Sequence, residues 1–262
     1  MSVKKIAFFG IDFQVDFCQP GAALFVAGAE NDVKRVKAFI ENNKEKIDFL
    51  CLTQDSHQII DISHPAFWQD KNGKSPSPFT IISPEHVKTG EWTPVFAAKE
   101  ALTYLEDLEK QGEFPHCIWP EHCIVGSGGA AIDPILMEAV YSWARQGKFF
   151  QIIQKGQHPL TEHFGAFRAN IPIMNQPSTQ INQQLIKTLE KYDEIYFTGE
   201  ARSHCVANTL KQAMEYPELA KKFIILDDCM SNVSGFETLA DPIYENARNL
   251  GISFVKSTDV KL

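Results

Sequence analysis

Short apolar runs alternate with segments of helical spacing along most of the chain. Near-continuous apolar runs suit strands that are covered on both faces, as in parallel sheets, whereas apolar residues at i, i+3 and i+4 indicate amphipathic helices. The pattern predicts strands over 4–12, 47–53, 149–154, 194–198, 223–227 and 252–255. It predicts helices over 30–46, 97–111, 131–146, 179–191, 205–214 and 236–250. This alternation indicates a doubly wound α/β domain with right-handed crossovers.

One long segment interrupts this alternation. Between residues 58 and 96 the chain has five prolines and two glycines and shows no clear periodicity. A loop of this length inside a compact domain is usually functional or an insertion. We therefore expect one domain over residues 1–262, with an insertion at about 65–115 that forms a lid or an oligomer contact.

Composition excludes several classes of protein. The chain has 262 residues, 44% of them apolar and 22% charged, which is enough to bury a sizeable core. A net charge of −8 argues against nucleic acid and anionic membranes as partners. The segment Met1–Lys5 resembles the start of a signal peptide, but Asp12 interrupts the apolar run behind it and no cleavage pattern follows. We expect a cytoplasmic protein whose six dispersed cysteines are reduced thiols.

Ionisable side chains gather where the predicted strands end. Asp12 ends the first strand, Asp55 and His57 follow the second, Lys155 follows the third, and Cys205 follows the fourth. Ligands of open α/β sheets bind outside the carboxyl ends of the strands. The sequence therefore predicts an active site at this edge of the sheet.

Cys205 opens a segment of helical spacing after a strand and a tight turn. A helix N-terminus favours the thiolate and lowers a cysteine pKa, so the thiol is a candidate nucleophile. Asp12 could accept its proton and Lys155 could supply a favourable field. The alternative, a Lys–Asp ion pair beside a buried structural cysteine, is equally compatible with the sheet positions.

The loops also carry metal-binding and aromatic side chains. Asp55, His57, His64 and His122 offer the oxygen and imidazole ligands that suit zinc, iron or manganese. An isolated Asp-x-His pattern is weak evidence, because surface loops contain many. Among the aromatic residues in predicted loops, most will pack, but one or two could clamp a flat substrate.

Five motifs in order resemble the isochorismatase-like cysteine hydrolases, nicotinamidases in particular. They are Asp12–Phe17, Pro20–Leu24, Thr53–His57, Trp119–Cys123 and Gly199–Thr209. The resemblance implies a doubly wound, six-stranded, mostly parallel sheet flanked by helices. It also implies a catalytic triad of Cys205, Asp12 and Lys155.

The same resemblance implies a metal and a substrate wall. Asp55, His57 and His122 would hold one divalent ion, with His64 as a less secure further ligand. Zinc is the preferred ion, and iron and manganese are the alternatives. Phe17 and Trp119 match the residues that hold the substrate ring in the family. A non-proline cis peptide is implied between Glu200 and Ala201, with the N–H groups of Ala201 and Cys205 forming the oxyanion hole.

Three departures from the family pattern affect the substrate more than the chemistry. Glu200 stands where an apolar residue is usual, Arg202-Ser203 replaces a pair that usually contains a carboxylate, and the stretch 65–115 is long. The expected reaction is hydrolysis of nicotinamide to nicotinate and ammonia through a thioester on Cys205. The substrate is a small-molecule amide, and a homo-oligomer is compatible with the sequence.

Two other functions stay open. A sibling amidase could act on another small amide or ureide, although the set of Asp55, His57 and His122 argues against it. A catalytically silent binding member of the fold would have no need of the complete triad. Isochorismate hydrolysis is disfavoured, because that branch dispenses with the cysteine.

Overall fold

The computed structural model describes residues 4–262. Residues 1–3 lie outside the described residues; they are the first residues of the predicted domain and of the segment compared with a signal peptide. The described strands are β1 (Ile6–Ile11), β2 (Phe49–Asp55), β3 (Trp68–Gln69), β4 (Thr93–Pro94), β5 (Gln151–Lys155), β6 (Glu194–Gly199), β7 (Phe223–Leu226) and β8 (Ser253–Val255). The described helices are α1 (Val15–Cys18), α2 (Ala29–Asn43), α3 (Pro84–Lys88), α4 (Ala98–Gln111), α5 (Pro134–Ala144), α6 (Gln183–Leu189), α7 (Ala207–Ala213), α8 (Pro217–Ala220) and α9 (Asp241–Asn249).

Six of the strands form one sheet in the order β5-β2-β1-β6-β7-β8, and every neighbouring pair is parallel. The chain runs outward from β1 to β5 on one side and returns to β6 on the other. The order of strands therefore reverses between β1 and β6, where doubly wound sheets bind their ligands. The predicted doubly wound α/β class with a six-stranded sheet is confirmed.

The two central strands are the most deeply buried part of the sheet. All six residues of β1 are buried, and Phe9 contacts both Phe167 and Phe197 with ring centroids about 6 Å apart. Helix α2 packs against α5, and α7 packs against α9. None of the helices in residues 4–262 combines the length and the apolar character needed to span a bilayer.

Several helices begin at residues other than the predicted ones. The helix predicted over 205–214 is preceded by a π-helical turn, Arg202–Val206, and α7 begins only after it. The helix predicted from residue 236 begins at Asp241 instead. Phe236 lies in turns before it, with its ring 5.1 Å from that of His204. The predicted loop over 13–29 contains the short helix α1.

The segment 65–115 is folded onto the domain. It contains α3, α4 and the antiparallel pair β3–β4. Its apolar side chains, among them Phe67, Trp68 and Leu105, form a second buried cluster. Trp68 Nε1 donates a hydrogen bond of 2.7 Å to the carbonyl of Ile62 in the main domain. The segment therefore packs against the rest of the chain, and its interpretation as an insertion that forms a lid or an oligomer contact stays a prediction.

Gly199 fixes the approach of β6 to β1 at the edge of the sheet that carries the predicted site. Its φ of +153° lies in a region that other residues rarely adopt. A Cβ atom added there would lie 2.3 Å from the carbonyl oxygen of Ile11, its partner in the register. Only glycine lets the two strand ends come this close.

Replacing Gly199 with alanine should therefore destabilise the fold. We expect a loss of about 2 kcal/mol or more in the free energy of unfolding, because backbone rather than a flexible side chain must move. Denaturant unfolding followed by circular dichroism measures this. The control is Gly128→Ala, where a Cβ meets nothing within 4 Å and the change should stay within about 0.5 kcal/mol. Equal stability of the two variants would contradict the close approach.

Candidate active site

Lys155 lies at the carboxyl end of β5, where its ammonium group is the centre of a buried polar cluster. Nζ lies 2.8 Å from Oδ2 of Asp12 and 3.2 Å from Oδ1 of Asp55. It donates to the carbonyl of His163 at 2.9 Å and lies 3.6 Å from Sγ of Cys205. Two carboxylates hold the pKa of Lys155 well above its ordinary value, although burial acts to lower it. The group is therefore a permanent cation.

Asp12 follows β1 in a left-handed backbone conformation with φ of +48°. Its N–H donates to Thr53 Oγ1 at 3.0 Å, and the Thr53 hydroxyl donates to its Oδ1 at 2.5 Å. Thr53 on the adjacent strand β2 therefore holds both the backbone and the carboxyl of Asp12. Burial raises the pKa of the carboxyl above its ordinary value, although Lys155 opposes this. A raised pKa makes Asp12 a stronger base than an exposed carboxylate.

Cys205 lies in the π-helical turn and is 5% exposed. Burial raises the pKa of its thiol well above the ordinary value, and Lys155 opposes that effect only in part. The expectation that a helix N-terminus lowers this pKa is therefore wrong for the described conformation. The reason is that α7 begins two residues later and the thiol is desolvated. Ligand atoms of Asp12, Asp55 and Cys205 nevertheless all lie within 4.8 Å of one another.

Asp55 connects this cluster to a group of imidazoles. Its Oδ1 faces Lys155, whereas its Oδ2 lies 3.1 Å from Nε2 of His57 and 3.8 Å from Nε2 of His122. The pKa of Asp55 lies well below its ordinary value despite burial, because Lys155 and His57 favour the charged form. One carboxylate therefore serves both halves of the site.

His57, His64 and His122 form a buried group whose nitrogen atoms lie within 4.8 Å of one another. In each ring Nδ1 faces an oxygen. Nδ1 of His57 lies 3.2 Å from Oδ2 of Asp61. Nδ1 of His64 lies 3.1 Å from the carbonyl oxygen of Gln58, and Nδ1 of His122 lies 2.8 Å from that of Pro120. The contacts of His64 and His122 orient their rings through Nδ1 and leave Nε2 available as a ligand atom. Three imidazoles and one carboxylate are a donor set that suits a divalent metal of the zinc type, and binding of such a metal would release the proton that Asp55 and Asp61 favour on His57.

Sequence reasoning missed Asp61, which orients His57 from the side opposite Asp55. It also accepts hydrogen bonds from the N–H and hydroxyl of Ser63. The only local signal was its spacing of four residues from His57, which no rule distinguishes from an ordinary loop carboxylate. Burial lowers the pKa of His57, yet Asp55 and Asp61 together raise it well above its ordinary value.

A narrow cavity opens onto these groups. The free space inside it is only about 20 Å³, so its walls lie close together in this structure. Phe17 and Trp119, the predicted ring-holding residues, both line it, as do Asp55, His122, Ala201 and Cys205. Glu200 does not line it. The cavity therefore contains the thiol, one edge of the imidazole group and two aromatic walls.

The peptide between Glu200 and Ala201 is cis, as the resemblance implied. Within the described residues, the N–H of Ala201 donates to no backbone carbonyl. Ala201 lines the cavity beside Cys205. A backbone donor is therefore available next to the thiol, where an oxyanion hole requires one.

Two further residues of the cavity wall escaped sequence reasoning. Glu162 is buried, its Oε1 has no hydrogen-bonding partner among the described residues, and burial raises its pKa to about 8. His204 is surrounded by the rings of Trp119, Phe164 and Phe236, and burial lowers its pKa to about 3. Neither carries a sequence signal, because their environment comes from loops that are distant in the chain.

The fold matches the isochorismatase-like α/β fold of solved structures, and it places a thiol, a carboxyl and an ammonium group at the switch point of the sheet. No protein-family model matches the chain. The chain is 25% identical to the nicotinamidase of Escherichia coli (strain K12) over 219 residues, which are 84% of this chain and 80% of that relative.

Solved structures of similar proteins share the fold over nearly the whole chain. The yeast nicotinamidase Pnc1p bound to nicotinaldehyde superposes with a TM-score of 0.66 at 22% identity, covering 96% of this chain and 99% of that one. A pyrazinamidase of Pyrococcus horikoshii in complex with zinc gives 0.57 at 20% identity, with coverage of 96% and 99%. The resemblance to isochorismatase-like hydrolases, and to nicotinamidases in particular, is confirmed, and the expected class of amide hydrolases agrees with these relatives.

Substitution of Thr53 by valine should destabilise the protein by about 1–3 kcal/mol. Valine keeps the shape but leaves the buried N–H of Asp12 without an acceptor and its Oδ1 without the hydroxyl donor. Denaturant unfolding measures the change. The matched control is Thr103→Val on the exposed face of α4, which should have a much smaller effect. A loss at Thr53 no larger than at Thr103 would contradict the role of this threonine in holding Asp12.

Proposed function

We propose that this protein is a metal-dependent cysteine amidohydrolase that converts nicotinamide to nicotinate and ammonia. The observation that carries the proposal is the contact of Lys155 with both Asp12 and Cys205 at the end of an aromatic cavity. A thiol, a base and a cation are the groups that nucleophilic attack on a carboxamide requires. The named activity of the E. coli relative supports the choice of substrate.

Acylation begins with transfer of the Cys205 proton to Asp12. The thiol is protonated at rest, since burial raises its pKa. The raised pKa of Asp12 and the ammonium of Lys155 beside the sulfur lower the cost of that transfer. The thiolate then attacks the amide carbon. The N–H groups of Ala201 and Cys205 would stabilise the negative oxygen of the tetrahedral intermediate.

Collapse of the intermediate breaks the C–N bond. Asp12 returns the proton to the leaving nitrogen, so that ammonia departs and a thioester remains on Cys205. Asp12 is then a carboxylate again and can take a proton from a water molecule that attacks the thioester. Cleavage of the C–S bond releases the carboxylic acid and restores the thiol.

Asp55, His57 and His122 would hold one divalent ion, zinc before iron or manganese, with His64 as a further ligand. When bound, the ion would supply a Lewis-acidic position for the nitrogen of the substrate ring. Phe17 and Trp119 would enclose the ring and exclude water. The zinc named for the P. horikoshii structure supports the choice of metal.

The insertion at 65–115 would act on the same cavity as a lid. Phe79, in a left-handed conformation with φ of +69°, places its ring 6.0 Å from that of Trp119 in an edge-to-face contact. The insertion therefore braces one aromatic wall of the site. The reaction suits nicotinamide salvage in the cytoplasm.

Ammonia release from nicotinamide tests the proposal most simply. Metal-loaded wild type should turn over, and Cys205→Ala should lose at least about 10⁴-fold in kcat, because no thioester can form. The control is Cys51→Ala, which removes a buried thiol of strand β2 remote from the cavity. No turnover of nicotinamide by the wild type would refute the substrate, and turnover that survives Cys205→Ala would refute the mechanism.

Metal content tests the ligand set separately from activity. Wild type should retain about one equivalent of divalent metal after gel filtration, measured by elemental analysis. His122→Ala should retain much less, because a ligand is lost. His158→Ala, a histidine outside the group, should retain the wild-type amount. Equal metal content in all three proteins would contradict the proposed ligands.

A further inference from the structure

A second buried carboxyl pair lies behind the nucleophile turn, on the side away from the cavity. Glu200 is fully buried and Asp32 of α2 is 1% exposed. Both bind Ser231: its N–H donates to Oε2 of Glu200 at 3.3 Å, and its hydroxyl donates to Oδ2 of Asp32 at 2.5 Å. The two carboxyl groups also lie within hydrogen-bonding reach of each other.

One cation, Arg35, serves both carboxyl groups of this pair. Arg35 Nη2 lies 2.5 Å from Oδ1 of Asp32, so the cation is engaged by that carboxylate. Oε1 of Glu200 has no hydrogen-bonding partner among the described residues. A second negative charge is disfavoured where two buried carboxyl groups share one cation. A proton on Glu200 makes this side chain a donor, and the Asp32 carboxyl is an acceptor within its reach.

The strongest influences on Glu200, its burial and Asp32, favour its neutral form. Burial and Asp32 raise the pKa of Glu200 well above its ordinary value, and Arg35 opposes them less strongly. Three other titratable groups interact with these carboxyls: Cys18 of α1, Tyr244 of α9 and Cys229 after β7. All three are neutral when protonated, so none supplies a compensating positive charge. The guanidinium of Arg202 lies over the ring of Tyr244 and 3.8 Å from Asp241.

The pair is tied to the backbone on both sides of Ala201. The N–H of Glu200 donates to the carbonyl of Ile11 at 2.9 Å, and the N–H of Arg202 donates to the carbonyl of Ser231 at 2.8 Å. Ser231 therefore holds the turn through its carbonyl and its N–H, and it binds α2 through its hydroxyl. The position of the Ala201 N–H beside Cys205 depends on this attachment.

We propose that Glu200 is a positioning residue that, as a neutral acid, bridges Asp32 and Ser231 and fixes the turn that carries the oxyanion-binding N–H of Ala201. The catalytic effect of this residue rests on the proposed function. The proton shared by Glu200 and Asp32 does not depend on that function. The inference also assigns a purpose to the acid at a position where the family usually has an apolar residue. The acid joins α2 to the turn, which an apolar side chain could not do.

Kinetics of two variants test the positioning role. Glu200→Gln keeps a neutral donor and an acceptor of the same shape, so it should retain kcat for nicotinamide within about threefold. Glu200→Leu cannot bridge, and kcat should fall at least about tenfold with a small change in KM, because the oxyanion contact strengthens only in the transition state. Equal kcat in Glu200→Leu and wild type, or an equal loss in both variants, would overturn the role.

Thermal stability tests the shared proton without any substrate. Because the native pKa of Glu200 lies above its unfolded value, the proton stabilises the fold fully below about pH 4.3, and the effect is lost as pH rises toward the native pKa. Glutamine does not ionise. The Tm of wild type should therefore fall relative to that of Glu200→Gln as pH rises from 5 to 9. A Tm difference that is constant over this range would overturn the shared proton.

Alkylation of Cys205 by iodoacetamide, followed by peptide mass spectrometry, reports the turn independently of turnover. The rate in Glu200→Gln should match that of wild type, whereas Glu200→Leu should differ at least threefold. If Glu200→Leu does not fold, Asp32→Asn takes its place, since it removes the charged acceptor and leaves the shape. Absence of nicotinamide turnover would refute the proposed substrate alone, because the Tm and alkylation results still decide the role of Glu200.

Discussion

A lysine ammonium that is almost fully buried requires anionic partners, since desolvation of an unpaired charge is too costly for a protein interior. Lys155 has two such partners, Asp12 at 2.8 Å and Asp55 at 3.2 Å, with the sulfur of Cys205 at 3.6 Å. The ends of β1, β2 and β5 must therefore stay adjacent for the charge to be satisfied. The same constraint that stabilises the cluster also brings base, cation and thiol together.

Asp55 extends this constraint to the imidazole group. Its two oxygens face different halves of the site, Lys155 on one side and His57 with His122 on the other. A change at either half alters the charge that the other experiences. The proposed metal position and the proposed nucleophile are therefore electrostatically coupled through Asp55. In the proposed function the imidazole half orients the substrate and the thiol half breaks the bond, and both depend on that side chain.

The sequence predicted the sheet, and it predicted that these ionisable side chains meet at one edge, because both depend on local patterns. Apolar runs marked the strands, and the polar residues at their ends, Asp12, Asp55 and Lys155, marked the edge. What it could not predict depends on contacts between distant segments. Burial reverses the expected direction of the Cys205 pKa shift, and the environments of Asp61 and Glu162 arise only when loops meet. Glu200 was recognised as unusual, but its partners Asp32 and Ser231 lie far away in the chain.

Acid quenching of a single turnover is the most direct measurement of the central claim, that Cys205 carries the acyl group. Intact-protein and peptide mass spectrometry of metal-loaded enzyme mixed with nicotinamide should show one nicotinoyl group on the peptide that contains Cys205, formed before nicotinate is released. Turnover without such an adduct, or an adduct on another residue, would contradict the account.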